Sequence, residues 1–281
     1  MDLNSPQIKE IVKRALAEDI GGGDITTRLT VPSSATASGV IIAKEAGVIA
    51  GLEVATLCFE TVDPSIKFVP LARDGDRVSP GQKLATIDGP AGSILTAERV
   101  ALNFLQRMSG VATLTSEFVK SVSGTSAKII DTRKTTPGLR ALEKHAVRVG
   151  GGSNHRFGLD DGILIKDNHI AVAGGVGPAV RAAKAGAPHT LKVEVEVRNI
   201  AETEEALASG ADAILLDNMS LDEMREAVKL IAGRAIIEAS GGVNAQTVTA
   251  IAETGVDLIS VGMLTHSAKA LDLSLQMGYP K

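Results

Sequence analysis

Arg133, Lys134, His155, Arg156 and Lys166 gather cationic and hydrogen-bonding side chains into one stretch of a chain whose formal net charge is -4. Between Arg133 and Arg156 there are six Arg or Lys and two His against one acid, Glu143. A guanidinium gives two parallel hydrogen bonds to a carboxylate or phosphate and an ammonium adds a compact charge, so this stretch suits a small, strongly anionic ligand. His155 follows the glycine-rich residues 150–154 and stands beside Arg156, where it would donate to the same anion. Neighbours on an extended strand face opposite ways, so Lys134 joins Arg133 only if the chain has already turned into a loop.

Carboxylates appear at matching places. Glu196 and Asp217 lie one strand–helix unit apart, on neighbouring strand ends, where both can hold a hard cation. Magnesium brought by a phosphorylated substrate fits better than zinc, because no HxxxH or CxxC accompanies them. An ion pair with the cationic stretch is the structural alternative, and Glu194 faces the same way as Glu196 by alternation. Ser240, Gly241 and Gly242 follow one apolar strand pattern, and Val261, Gly262 and Met263 follow the next. Both read as backbone N–H nests for phosphate.

These residues need a scaffold that delivers strand ends to one rim. After Thr113, apolar segments at 128–131, 163–165, 191–197, 213–216, 235–238 and 258–261 alternate with helical patterns at 139–149, 179–185, 200–209, 221–231 and 246–253. Glycines close several of the helices, which is the rhythm of a parallel α/β fold. Six such units in roughly 160 residues predict a shortened barrel, since eight usually take about 250. An open doubly wound sheet is the alternative, although no GxGxxG opens a strand-to-helix turn. In a barrel, Thr132, Arg133, Lys166, Glu196, Asp217, Ser240 and Gly262 all fall where strands end and sites form.

The first part of the chain reads differently. Ser5 and Pro6 start a helix with Ile8, Ile11, Val12 and Leu16 on one face, ending near Glu18. Residues 25–94 then break into short β-branched runs, at 39–44 and 66–71 among others, so a small sheet-rich domain is expected. Residues 73–95 resemble the turn-rich hammerhead of biotinyl and lipoyl carrier domains but offer no modifiable lysine at a hairpin tip. Thr96 is the expected N-cap of a buried connecting helix running toward Gly110, with Arg99 and Arg107 as surface or interface cations. The boundaries are then 1–112 and 113–281, with the C-terminal tail available to pack back on the first domain.

Composition excludes several classes of function. With 2% aromatics and no Lys/Arg tract, the chain lacks the footprint of a nucleic-acid binder. No apolar run approaches the ~20 residues of a membrane span, and no signal-peptide pattern opens the chain, so a cytoplasmic protein is expected. The one cysteine, Cys58, reads as a small buried hydrophobe.

The motifs DTRKTTPGLR, GGGSNHRFGL, ILIKDNHI, VEVEV, LLDN, EASGGV and ISVG together resemble quinolinate phosphoribosyltransferase, the decarboxylating nicotinate-nucleotide pyrophosphorylase. The resemblance extends to EDIGGGDITT near the N-terminus and to AERVALNFLQRMSGVAT on the connecting helix. It implies an N-terminal α/β sandwich-like domain followed by an incomplete parallel α/β barrel, working as a homodimer. It further implies a magnesium-dependent pentosyltransferase of de novo NAD biosynthesis. Quinolinate and phosphoribosyl pyrophosphate would give nicotinate mononucleotide, carbon dioxide and pyrophosphate. Arg133, His155, Arg156 and Lys166 would surround quinolinate, with Arg99 reaching in from the other subunit. Lys134, Glu196 and Asp217 would face phosphoribosyl pyrophosphate and its Mg2+. Thr132, Ser240, Gly241, Gly242, Val261, Gly262, Met263 and His266 would complete the binding set. Two other readings stay open, a phosphoribosyltransferase-like protein of the molybdenum-transport branch and a Schiff-base barrel lyase using Lys166.

Overall fold

A computed structural model describes Leu3 and residues 5–278. The N-terminal helix α1 (Pro6–Ile20) buries Ile8, Val12 and Leu16 and stops at Gly21, whose φ of 49° suits glycine. Two further helices interrupt what the sequence predicts as sheet. The first, α2 (Ile25–Thr30), is capped by Asp24, whose carboxylate accepts from Thr27 N at 2.9 Å. Strands β1 (Thr36–Ala43) and β2 (Gly47–Val48) precede α3 (Leu52–Val62). Its N-terminus is held by the Asp74 carboxylate, which accepts from Gly51 N and Leu52 N at 2.8 and 3.1 Å. A cap supplied from twenty-odd residues downstream leaves no local mark, which is why this helix hides among β-branched runs.

Strands β3 (Lys67–Pro70), β4 (Arg77–Val78) and β5 (Lys83–Pro90) lead into α4 (Ala91–Ser121). This helix corrects the expected start at Thr96 and end near Gly110. Thr96 lies inside it, with its hydroxyl donating to Gly92 O at 2.9 Å. Gly110 is there for close packing, because a Cβ would sit 1.9 Å from Lys269 O.

The second half alternates as the pattern predicts. It runs β6 (Lys128–Ile130), α5 (Arg140–Val149), β7 (Ile163–Ile165), α6 (Asp167–Ala173), α7 (Val176–Gly186), β8 (Val193–Val197) and α8 (Ile200–Ala208). Then come β9 (Ala213–Asp217), α9 (Leu221–Ile231), β10 (Ile236–Ser240), α10 (Val248–Ala252), β11 (Leu258–Ser260), α11 (Met263–His266) and β12 (Leu273–Gly278). The short helices α6 and α11 were not anticipated, being too brief to show a periodicity. Six strands form one parallel sheet in the order β6-β11-β10-β9-β8-β7, two strands short of a full barrel. The last strand, β12, instead pairs antiparallel with β1 in a four-stranded sheet ordered β12-β1-β5-β3.

The chain divides into two compact units. One holds the described residues up to Ser116, Thr136–Gly151 and those from Ser267 onward; the other holds Glu117–Thr135 and Gly152–His266. Within the first, the buried Glu143 carboxylate accepts from Arg107 Nη2 at 2.7 Å, Arg107 Nε at 3.0 Å and Thr136 N at 2.9 Å. Arg107 Nη1 also donates to Ala268 O at 2.8 Å, so one guanidinium ties α4 to α5 and to the C-terminal return. Cys58 is fully buried on α3, and burial pushes its thiol up to about 12. Among the described residues, no helix is long and apolar enough to cross a membrane.

Arg107→Met leaves the buried Glu143 charge without its main partner and is expected to cost about 3 kcal/mol of unfolding free energy in denaturant titrations. Cys58 should resist alkylation in the native protein and react once denaturant unfolds it, because the thiolate is the reactive form.

Candidate active site

Parallel strands β7 to β11 follow one another in the sheet, and β6 joins at the far side of β11. Consecutive strands β6 and β7 therefore do not pair, and Ser153, late in the connection between them, lies along β6 instead. Ser153 bridges to Ile130 in parallel fashion, with Ser153 N donating to Ile129 O at 2.9 Å and Asp131 N to Ser153 O at 3.2 Å. The Asp131 side chain, fully buried, then accepts from His155 N at 2.9 Å and Asn154 Nδ2 at 2.6 Å. Arg156 Nη1 donates to Gly162 O at 3.0 Å. The glycine-rich loop is thus bonded along its working half, and it delivers His155 and Arg156 to the cavity described next.

A cavity of about 270 Å3 opens there, lined by Thr132, Arg133, Lys134, His155, Arg156, Leu164, Lys166, Leu215, Glu238, Ser240 and Ser260. It collects the predicted cations from three separate stretches of chain. Lys134 N donates to the Thr132 hydroxyl at 3.0 Å, so the chain has turned by this point and Arg133 and Lys134 both face the opening. Partial burial lowers the Arg156 guanidinium's pKa, and the like charge of Arg133 lowers it further against the opposing pull of Glu194 and Asp161. Two guanidiniums held this way invite an anion.

The carboxylates separate into two groups. Lys166 Nζ donates to Glu196 Oε2 at 3.1 Å, so Glu196 sits beside the cationic wall. Asp217 ends β9 opposite Ser240 at the end of β10, which puts both at the rim as strand residues and not after it. Glu194 lies elsewhere, its Oε2 3.1 Å from His155 Nε2, with Glu238 Oε2 3.5 Å from the same nitrogen. These three donor atoms fall within 4.8 Å of one another. His155 Nδ1 accepts from Arg156 N at 2.7 Å, so the ring proton resides on Nε2 and is directed at the two carboxylates. In this conformation both ring nitrogens are engaged within the protein.

The glycine segments come to the same rim. Gly241 has φ of 91° and packs on Asn218, leaving no room for a Cβ. Gly262 is overlaid by Lys134 and His266, whose carbons stand 3.1 and 3.4 Å from where its Cβ would be. Val261 donates its N–H to Ile130 O at 2.9 Å, which commits that group to the sheet. Met263 and His266 bound the short α11, and the Thr265 hydroxyl donates to Lys134 O at 2.7 Å. Arg99 is exposed on α4 in the other unit.

Glu238 is the residue that sequence reading passed over. It lies mid-strand among apolar neighbours in AIIEAS, and its only local sign is an even spacing from Ser240 on the inward face.

Two family models divide the chain between them: the quinolinate phosphoribosyl transferase N-terminal domain over residues 24–109 and its C-terminal domain over residues 111–276. A probable nicotinate-nucleotide pyrophosphorylase of Bacillus subtilis is 43% identical, covering 98% of this chain and 95% of the relative. The nicotinate-nucleotide pyrophosphorylase of Mycobacterium leprae is 46% identical, with 96% of each chain covered. A crystal structure of NadC from Streptococcus pyogenes superposes with a TM-score of 0.96 at 46% identity over 100% of both chains. With both domain models matched end to end and these relatives similar over nearly their full length, the chain belongs to the quinolinate phosphoribosyltransferase family.

Proposed function

We propose that this protein transfers phosphoribosyl from phosphoribosyl pyrophosphate to the ring nitrogen of quinolinate, releasing pyrophosphate and carbon dioxide and leaving nicotinate mononucleotide. The observation that carries this reading is the cavity of about 270 Å3 flanked by Arg133, Arg156 and Lys166, three cations from three separate stretches of chain. A pyridine with two adjacent carboxylates matches that charge. A ligand with one carboxylate would leave a partly desolvated cation unpaired, which disfavours it. The Schiff-base alternative fits less well, since Lys166 Nζ is already engaged by Glu196 Oε2 at 3.1 Å and shares its cavity with other cations.

The pyridine nitrogen carries its own lone pair, so attack on the sugar's anomeric carbon needs no general base, and catalysis falls to positioning and charge. Arg133, Arg156 and Lys166 orient the ring by its carboxylates. Lys134, overlying Gly262, stabilises charge growing on the departing pyrophosphate oxygens. Ser240, Gly241, Gly242, Gly262 and Met263 hold phosphate at the rim, with His266 beside them. Glu196 and Asp217 offer only carboxylate oxygens, a donor set suited to Mg2+, which would neutralise phosphate charge when bound. Once the ring nitrogen is positive, it serves as the electron sink for loss of the adjacent carboxylate.

The enzyme acts as a homodimer in which Arg99 of one subunit completes the partner's quinolinate pocket. Supporting this, Arg99 is exposed on α4 and Leu95, one turn earlier, is an exposed apolar side chain. It works in the cytoplasm, in keeping with a free buried thiol.

Incubation with quinolinate, phosphoribosyl pyrophosphate and Mg2+ should yield nicotinate mononucleotide, and absence of product would overturn the assignment. Arg133→Ala should lower kcat/KM for quinolinate by about 30-fold or more, the scale of one lost charge-assisted contact, and normal turnover would contradict the clamp. Asp217→Asn is expected to raise the Mg2+ concentration needed for half-maximal rate by about tenfold, with quinolinate KM nearly unchanged.

A further inference from the structure

Decarboxylation creates a need that the carboxylate clamp does not meet. When the carboxylate next to the ring nitrogen leaves as carbon dioxide, the electron pair of the broken C–C bond stays on the ring carbon. That carbon must gain a proton before the product is complete. Guanidinium and ammonium groups ordinarily hold their protons too tightly to supply it at neutral pH.

Glu238 is placed differently. It lines the cavity that holds Arg133, Arg156 and Lys166. It also lines a second cavity of about 600 Å3, which extends to Ala213, Ile236 and Leu258 near the starts of their strands. Its carboxyl is therefore a partition between the substrate side and the opposite end of the barrel. The side chain is 1% exposed, and its Oε1 is buried with no hydrogen-bond partner among the described residues. Oε2 lies 3.5 Å from His155 Nε2, the nitrogen that Glu194 approaches to 3.1 Å. Burial first, and Glu194 second, hold the Glu238 carboxyl well above the usual carboxylate range, against the opposing influence of Ser260 and Lys166. Burial and a neighbouring carboxylate both favour the protonated form of this acid.

We propose that Glu238 is the general acid that delivers a proton to the ring carbon vacated by carbon dioxide, and that the second cavity supplies the water that reloads it. This assignment rests on the quinolinate reading above. The C–C bond breaks with its electron pair left on carbon beside the cationic nitrogen. That pair takes the proton from the Glu238 carboxyl, forming C–H and leaving a carboxylate. A proton from bulk solvent, relayed by water through the second cavity, reprotonates the carboxylate, so no oxidant, reductant or further co-reactant enters. The chemistry parallels other sites that use burial and a second carboxylate to keep one acid protonated.

The test separates pyrophosphate release from nicotinate mononucleotide formation in single-turnover mixtures of quinolinate, phosphoribosyl pyrophosphate and Mg2+. The native enzyme should form both in equal amounts; if it forms neither, the quinolinate reading fails and not this one. Glu238→Gln keeps the shape and loses the proton. It should release pyrophosphate while nicotinate mononucleotide appears about 100-fold more slowly, the dicarboxylate nucleotide accumulating in its place. Glu238→Asp should restore part of that rate. Nicotinate mononucleotide formed by Glu238→Gln in step with pyrophosphate would overturn the proposal, and so would equal loss of both products in a variant with the native thermal transition. Should Glu238→Gln not fold, Glu238→Ala with added formic acid gives a second reading: recovered nicotinate mononucleotide supports the acid, and no recovery rejects it.

Discussion

The barrel half of this protein depends on one buried carboxylate, Asp131. A six-stranded parallel sheet leaves an unpaired edge at β6, with backbone groups that must be satisfied. Ser153 takes up part of that edge as a single bridge, and the Asp131 side chain fixes the two residues that follow through Asn154 Nδ2 and His155 N. A carboxylate accepting backbone and amide hydrogens inside a protein is a strong, directional anchor. It converts a glycine-rich connection into a fixed platform from which Arg156 reaches the strand ends. The missing strands of the barrel are thus exploited, since the seam is where the anion-binding residues enter.

Cations packed around one small cavity repel each other and lose hydration, so the site must hold them without collapsing onto internal partners. It does so unevenly. Lys166 rests on Glu196, and the Arg156 guanidinium meets only a carbonyl, Gly162 O, among its hydrogen-bonded partners here. Such half-committed groups keep their remaining donors for an incoming ligand, the preorganisation that electrostatic catalysis requires. In the other unit, Arg107 is the contrary case, fully spent on Glu143 and Ala268 O. The two arginines therefore do opposite work, one structural and one receptive.

Much of this was legible in the sequence because parallel strands announce themselves. Most of the barrel strands are short apolar runs with polar residues at one end, and that asymmetry points to the rim. The first unit was harder. Helix α3 is capped by Asp74 from beyond the next strand, and α4 continues through Gly110 because a returning backbone fills the space of its side chain. Neither fact has a local signature. At the site, the strand-end residues were visible by position, but Glu238 was not, since a lone acid inside an apolar strand looks like an exception until its neighbours from β8 and the seam loop are known. The inward turn of the His155 ring was equally hidden, because it depends on a hydrogen bond from the next residue's backbone.

A floor of carboxylates under a pocket proposed for a dianion poses a conflict of charge, and its resolution is electrostatic. Two ionised carboxylates about 4 Å apart repel by roughly 4 kcal/mol at an effective dielectric of 20, and a bound dianion above them would add to that. The desolvated position of Glu238, beside Glu194, raises its pKa and so favours the neutral acid, and protonation removes the repulsion. The same burial that makes Glu238 tolerable beneath an anion also favours a proton on the one carboxyl of a cavity lined otherwise by cations, hydroxyls, leucines and the His155 imidazole. A hydrophobic residue of similar size would remove the strain but also the proton. The buried acid is therefore best understood through what the pocket must do after its ligand has lost a carboxylate, when the charge it was built to hold has just fallen by one.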